Sequence, residues 1–238
     1  MKALTVLALL AAPPAQAACR QALALGLDIS GSVDAREYVL QREGLAAALG
    51  SAAVRTAILQ QPDAPIRLTV FEWSGPAAQT VILPWVEIAD AAGLDAARQR
   101  IVTAPRSQQD QTTALGSAML AGFAMLDAQA ECWTRTLDLS GDGIANTGPR
   151  PQDVEPDRTP PGVTVNGLTI GADLQPGRDE TSADIRELSA YFRAYVIRGP
   201  GAFVETALGF EDYAAAMERK LLRELQSLAL SDARPVGQ

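Results

Sequence analysis

The stretch Gln21-Ala22-Leu23-Ala24-Leu25-Gly26-Leu27-Asp28-Ile29-Ser30-Gly31-Ser32-Val33-Asp34 changes character halfway along. Gln21–Asp28 is a short apolar run that ends in aspartate, serine and glycine, the pattern of a buried parallel strand. From Asp34 to Leu49 the period changes. Tyr38, Leu45 and Leu49 fall on one face beside Val39 and Ala46, which predicts an amphipathic helix. The same alternation continues down the chain. Ile66–Trp73 and Gln79–Trp85 read as two strands of a hairpin joined around Ser74-Gly75-Pro76. Residues 89–102 have a helical period, and so does Thr113–Leu126, with Leu115, Met119, Phe123 and Leu126 at helix spacing. Thr134–Ser140 is a strand that runs into Gly141-Asp142-Gly143.

Between Asn146 and Pro161 proline and charge allow only short helical pieces. Gly162–Ile170 then reads as a strand, Thr181–Ala190 as a helix and Tyr195–Ile197 as a short strand. Phe210–Leu228 is the last helix, with Phe210, Tyr213, Met217, Leu221 and Leu228 facing inward. Neither an internal repeat nor an interdomain linker interrupts this order. The expectation is one α/β domain over residues 18–230. Its single sheet is doubly wound and mostly parallel with one antiparallel edge strand, helices cover both faces, and 231–238 form a polar tail.

Composition narrows the chemistry. The chain has 238 residues, a formal net charge of −8, 47% hydrophobic and 5% aromatic residues, which fits one globular domain rather than a disordered, collagenous or multi-span chain. There is no histidine, which excludes a Ser-His-Asp triad, a Cys-His pair and histidine-ligated zinc. Lys2 and Lys220 are the only lysines, and neither completes a phosphate-binding Gly-Lys-Ser/Thr loop or a Ser-x-x-Lys nucleophile. The acidic balance argues against nucleic acid as a partner.

The N-terminus reads as an address. Lys2, the apolar run Ala3–Ala12, Pro13-Pro14 and Ala15-Gln16-Ala17 have the form of a signal peptide over residues 1–17. The run is shorter than the roughly 20 residues a bilayer span needs, and no later run is long enough, so no transmembrane segment is expected after cleavage. The mature chain is expected in the periplasm or outside the cell. Cys19 and Cys132 then lie in an oxidising compartment, where a pair is ordinarily a disulfide; two unrelated buried thiols are the alternative. Lipidation of Cys19 is a further alternative, against which stands Gln16 where a leucine-like residue is usual.

Ligands of open α/β sheets bind beyond the carboxyl ends of the strands. Three polar clusters belong there: Asp28-Ile29-Ser30-Gly31-Ser32, Thr112-Thr113-Ala114-Leu115-Gly116 and Ser140-Gly141-Asp142-Gly143. They offer two carboxylates and several hydroxyls without nitrogen or sulfur donors, a set that suits a hard dication. Asp110 and Glu72 belong near the same rim, and Asp138 shares the parity of Ser140 and Asp142, placing it to orient a site residue or pair with an arginine. Each motif alone also reads as turn and cap chemistry: Asp28 and Ser30 in a turn, Ser32 or Asp34 as an N-cap, Thr112 capping its helix.

Taken in order, the three motifs resemble the metal-ion-dependent adhesion site of von Willebrand factor A domains. Asp28, Ser30 and Ser32 match its Asp-x-Ser-x-Ser, Thr113 matches its threonine and Asp142 its aspartate before glycine. The wording of segments 27–34, 71–74, 113–116, 140–143, 165–168 and 199–204 is similar to a bacterial family of secreted von Willebrand A-like proteins without an established function. The resemblance implies a single divalent cation, magnesium or else manganese or calcium, held by Asp28, Ser30, Ser32, Thr113 and Asp142. It also implies a coordination position left for a carboxylate presented by a partner protein. A structural protein whose ion stiffens loops and a metal-dependent hydrolase are the alternatives, although nothing in the sequence marks out a general base. The resemblance further makes Gln21–Asp28 and Thr134–Ser140 parallel neighbours. Cys19 lies nine residues before Asp28 and Cys132 ten before Asp142. At about 3.3 Å per residue their sulfurs then face each other at the opposite rim.

Overall fold

A computed structural model describes residues 18–171 and 180–231. The signal peptide expected at 1–17 lies outside these residues, as does the expected tail from 232 onward; the Leu228 side chain, expected to face inward, is not described. One sheet of six strands has the order β3-β2-β1-β4-β5-β6. The strands are β1 (Gln21–Asp28), β2 (Ile66–Trp73), β3 (Gln79–Ile88), β4 (Thr134–Gly141), β5 (Val163–Ile170) and β6 (Val204–Ala207). All neighbours are parallel except β2 and β3, so the antiparallel strand is at an edge as the hairpin predicts.

Alternation along β1 assigns the two faces. Leu23, Leu25 and Leu27 enter one core with residues of α1 (Ala35–Gly50), α2 (Ala52–Leu59), α3 (Ala91–Thr103) and α6 (Tyr213–Ser231). Ala22 and Ala24 face a second core with α4 (Leu115–Asp127). The second face needs small residues on the central strand, because a Cβ on Gly26 would stand 2.7 Å from both Leu139 and Phe71. Each fully buried leucine contributes roughly 1.5–3 kcal/mol, so a one-residue slip of β1 would forfeit a whole layer.

Most expected elements form within a few residues of the boundaries read from the sequence, and three points differ. Tyr195–Ile197 is not a strand. Phe192–Val196 is a π-helical turn that continues α5 (Glu180–Tyr191), and Arg198 makes only an isolated bridge to Val165. Phe192 is fully buried against Gly167, and this anchor keeps the segment helical despite its aromatic and β-branched content. The sixth strand is Val204–Ala207 instead, too short to carry a period. Ala52–Leu59 is a separate helix, started when Ser51 ends α1 and caps α2 through Val54 N at 3.3 Å. Asp34 caps α1 in a capping box with Glu37, as one reading of that residue requires.

The cysteines do pair: Cys19 and Cys132 form a disulfide across the ends of β1 and β4, with Cα atoms 4.5 Å apart. Gln21 is in register with Thr134, so the two chains enter the sheet level. No described helix is long and apolar enough to cross a membrane.

Candidate metal centre

Three loops meet at the carboxyl ends of β1 and β4. The first leaves β1 at Asp28, which is completely buried. Ser30 N donates to Asp28 Oδ1 at 2.8 Å, closing an Asx turn that carries Ser30 and Ser32 over the carboxylate. Gln41 of α1 donates to the Asp28 backbone oxygen at 2.8 Å, and Ile29 N donates to Trp73 O at 2.9 Å. Ser30 Oγ lies 3.2 Å from Ser32 Oγ, and Ser32 Oγ donates to Asp142 Oδ1 at 2.7 Å. A continuous hydroxyl–carboxylate chain thus joins the first loop to the third.

The second loop, 104–114, is held from below. Tyr38 OH and Ser107 N both donate to the buried carboxylate of Glu72, at 2.6 and 2.9 Å. Asp110 N donates to Ser74 Oγ at 2.9 Å, while the Asp110 carboxylate accepts from Thr112 N and Oγ1 at 2.9 and 2.8 Å. Glu72 and Asp110 therefore shape the loop that delivers Thr113. Thr113 is in turn clasped by the third loop: its N–H donates to Asn146 Oδ1 at 2.8 Å, and Asn146 N donates back to Thr113 O at 3.0 Å. A Cβ on Gly143 would stand 4.0 Å from Thr113 Oγ1. Asn146→Ala is expected to cost about 1–3 kcal/mol through the orphaned Thr113 amide, read by chemical denaturation.

Asp28, Ser30, Ser32, Thr113 and Asp142 are thereby brought to one rim. Asp138 is not part of it. It faces α6 and pairs with Lys220 rather than with an arginine, while Ser140 Oγ lies 3.0 Å from Tyr213 OH. Sequence reading missed Gln41 and Asn146. Neither belongs to a motif, and a polar residue at a buried helix position, such as Gln41 between Tyr38 and Leu45, was the only signal.

Electrostatics at the rim are unbalanced. Asp28 Oδ2 is buried and has no hydrogen-bond partner. Burial first, and then the charge of Asp142, push the Asp28 carboxyl up to about 8. Asp142, only partly exposed, is raised as well by its burial, against the pull of the Ser32 hydroxyl. A buried carboxylate with an unsatisfied oxygen beside a second carboxylate and three hydroxyls is a site that wants a cation. Gly141 keeps space over that oxygen, since a Cβ there would come within 3.3 Å of Asp28 Oδ2. No group of three or more His, Cys, Asp or Glu residues gathers among the described residues. Any ion held here therefore depends on hydroxyl oxygens, which suits a hard dication.

Gly116 sits in the first turn of α4 with its Cα against the loop that holds Asn146; a Cβ would lie 2.1 Å from Pro149 O. Gly116→Ala is expected to push that loop outward and cost about 1–3 kcal/mol, visible as a lowered urea midpoint.

Comparison with known proteins agrees with this architecture. Among solved structures, the PilB minor pilin of Streptococcus sanguinis aligns over 94% of this chain and 65% of its own, at 13% identity and a TM-score of 0.61. The pilus adhesin SpaC of Lactobacillus rhamnosus GG aligns over 90% and 31%, at 16% identity and a TM-score of 0.59. Proximal thread matrix protein 1 of the mussel byssus, in a structure described as having a zinc-occupied MIDAS motif, aligns over 88% and 46%, at 15% identity and a TM-score of 0.55. This chain thus spans less than two thirds of each of those chains. At such identities the likeness speaks for the fold. No curated protein matches. Residues 18–229 match the family described as "Protein of unknown function (DUF1194)", so the chain belongs to that family, and its fold has the doubly wound, mostly parallel sheet expected from the resemblance to von Willebrand factor A domains.

Proposed function

We propose that this protein is an adhesion-type binding module that captures an acidic group of a partner protein through one divalent cation. Asp28, Ser30, Ser32, Thr113 and Asp142 are the residues that hold the ion. The observation that carries this reading is Asp28 Oδ2, an oxygen sealed from water and without a donor, in a ring of hydroxyls. A cation would supply the charge that this oxygen lacks and, with an open position, attraction for a further carboxylate. The protein supplies only two negative charges, so the dication is not saturated electrostatically by its own ligands. Ser30 and Ser32 position neutral oxygens, and Asn146 and Gln41 hold the loops so that little rearrangement accompanies binding. The oxygen donors favour magnesium, with manganese or calcium as substitutes. The zinc-bearing mussel protein and the adhesin and pilin of like fold support a role in adhesion.

Residues 1–17 would serve as the signal peptide that exports the chain to the periplasm or beyond. Calorimetric titration with magnesium and with manganese tests the site: heat is expected from the wild type and none from Asp28→Ala. Equal heats from both proteins would overturn the assignment. Capture of a partner that is lost on adding a chelator tests the second half, and capture indifferent to chelation would remove the role of the ion.

A further inference from the structure

A second cluster of buried charge lies beneath α6, away from the rim. Lys220, Asp138 and Glu224 are 0%, 2% and 4% exposed. Lys220 Nζ contacts the Asp138 carboxylate directly and lies 2.6 Å from Glu224 Oε1. Asn166 Nδ2 donates to the same Glu224 oxygen at 2.6 Å, and Asn166 Oδ1 accepts from Phe203 N at 3.0 Å. The Phe203 ring centroid stands 5.3 Å from Lys220 Nζ and helps keep water out. Besides Lys220, the Asp138 carboxyl interacts with the neighbouring Glu224 carboxyl. Two carboxylates thus share one ammonium in a dry site, an arrangement whose desolvation cost exceeds what one ion pair returns. Burial, then the charge of Glu224, raise the Asp138 carboxyl to about 7, so the ionised form that the condensation consumes is costly to keep buried.

We propose that Lys220 and Asp138 are joined by an intramolecular amide that the folded protein forms by itself, with Glu224 carrying the protons. The balance closes without an oxidant or any other reagent. Lys220 gives a proton to Glu224 and becomes a neutral amine. Its nitrogen lone pair attacks Asp138 Cγ, forming the N–C bond. The second proton of the nitrogen and the one held by Glu224 pass to the departing Asp138 oxygen, which leaves as one water. Glu224 returns to its starting state and accepts the new amide N–H. Held reactants of this kind reach effective molarities of about 10⁵–10⁸ M, which offsets the slowness of uncatalysed condensation. The product replaces an ammonium and a carboxylate, both costly to bury, with one neutral amide. A cleft of about 380 Å³ lined by Asn166, Phe203 and Glu224 borders the cluster. The amide would fasten α6 to the middle of β4.

The test is the intact mass of the full chain after folding, reduction and denaturation. The wild type is expected to be lighter than its sequence by one water. Trypsin is expected to leave the bond after Lys220 uncut and to release a branched peptide joining the regions of Asp138 and Lys220. Lys220→Met and Asp138→Ala should weigh what their sequences dictate, and Glu224→Gln should accumulate the uncross-linked form. If those variants fail to fold, the native chain still decides. A folded wild type at full mass, cleaved by trypsin after Lys220, overturns the proposal and leaves an ion cluster.

Discussion

Cys132→Ala is expected to lower the unfolding free energy by roughly 4–5 kcal/mol, a large part of the about 5–15 kcal/mol that holds a typical domain. The bridge joins residues 113 apart in sequence, so its loss frees a long loop in the unfolded chain. Native geometry already aligns the two ends: Trp133 N donates to Cys19 O at 2.9 Å and Thr134 N donates to Arg20 O at 3.2 Å. The folded state should therefore change little while the unfolded state expands. Urea denaturation with and without reductant checks this. A lower midpoint is expected together with a steeper dependence on denaturant, because the uncrosslinked chain exposes more surface. Unchanged midpoints would mean that β1 and β4 hold each other without the bridge.

Asp28→Asn is expected to act in opposite directions with and without the cation. In chelator near neutral pH, the variant should be more stable than the wild type, since it removes a carboxyl that must take up a proton on folding and whose second oxygen finds no donor. With magnesium present, the order should reverse, because only the wild type gains the linkage term that ligand binding adds, about 2.7 kcal/mol at a hundredfold excess over Kd. The pH dependence follows the same residue. Asp28 ordinarily titrates near 3.8 and is raised to about 8 in the metal-free fold. The folded chain then binds the proton more tightly than the unfolded one. The resulting stabilisation is complete below about 3.8 and is lost as pH rises through about 8. Thermal unfolding of chelated protein should show this decline, and Asp28→Asn should flatten it. Identical pH profiles for the two proteins would contradict the assignment of Asp28 as the strained group.

The strands that carry the rim were readable because period and burial coincide there. β1 alternates leucine with alanine between two cores, and the motif residues follow it immediately, so pattern and chemistry point to the same place. The hairpin at Ser74-Gly75-Pro76 was readable for a similar reason. What escaped was decided by contacts distant in sequence. Phe192 holds a π-turn only because Gly167 on β5 leaves a slot for its ring. β6 has four residues, and its pairing with β5 cannot be read from so short a run. Asn146 looks like any loop asparagine until Thr113 is brought beside it. Lys220 lies beside the inward face of the last helix, but no motif marks it out, and its pairing with Asp138 depends on the approach of β4.

The position of β1 also determines how the molecule bears tension. β1 ends at Asp28 and is flanked by parallel β2 and β4. A pull on the rim along its axis loads both ladders in shear, so their rungs must yield together instead of unzipping singly. The sulfur bridge two residues before Gln21 keeps the strand from sliding past β4. A load applied at Asp28 thus meets a stiff handle.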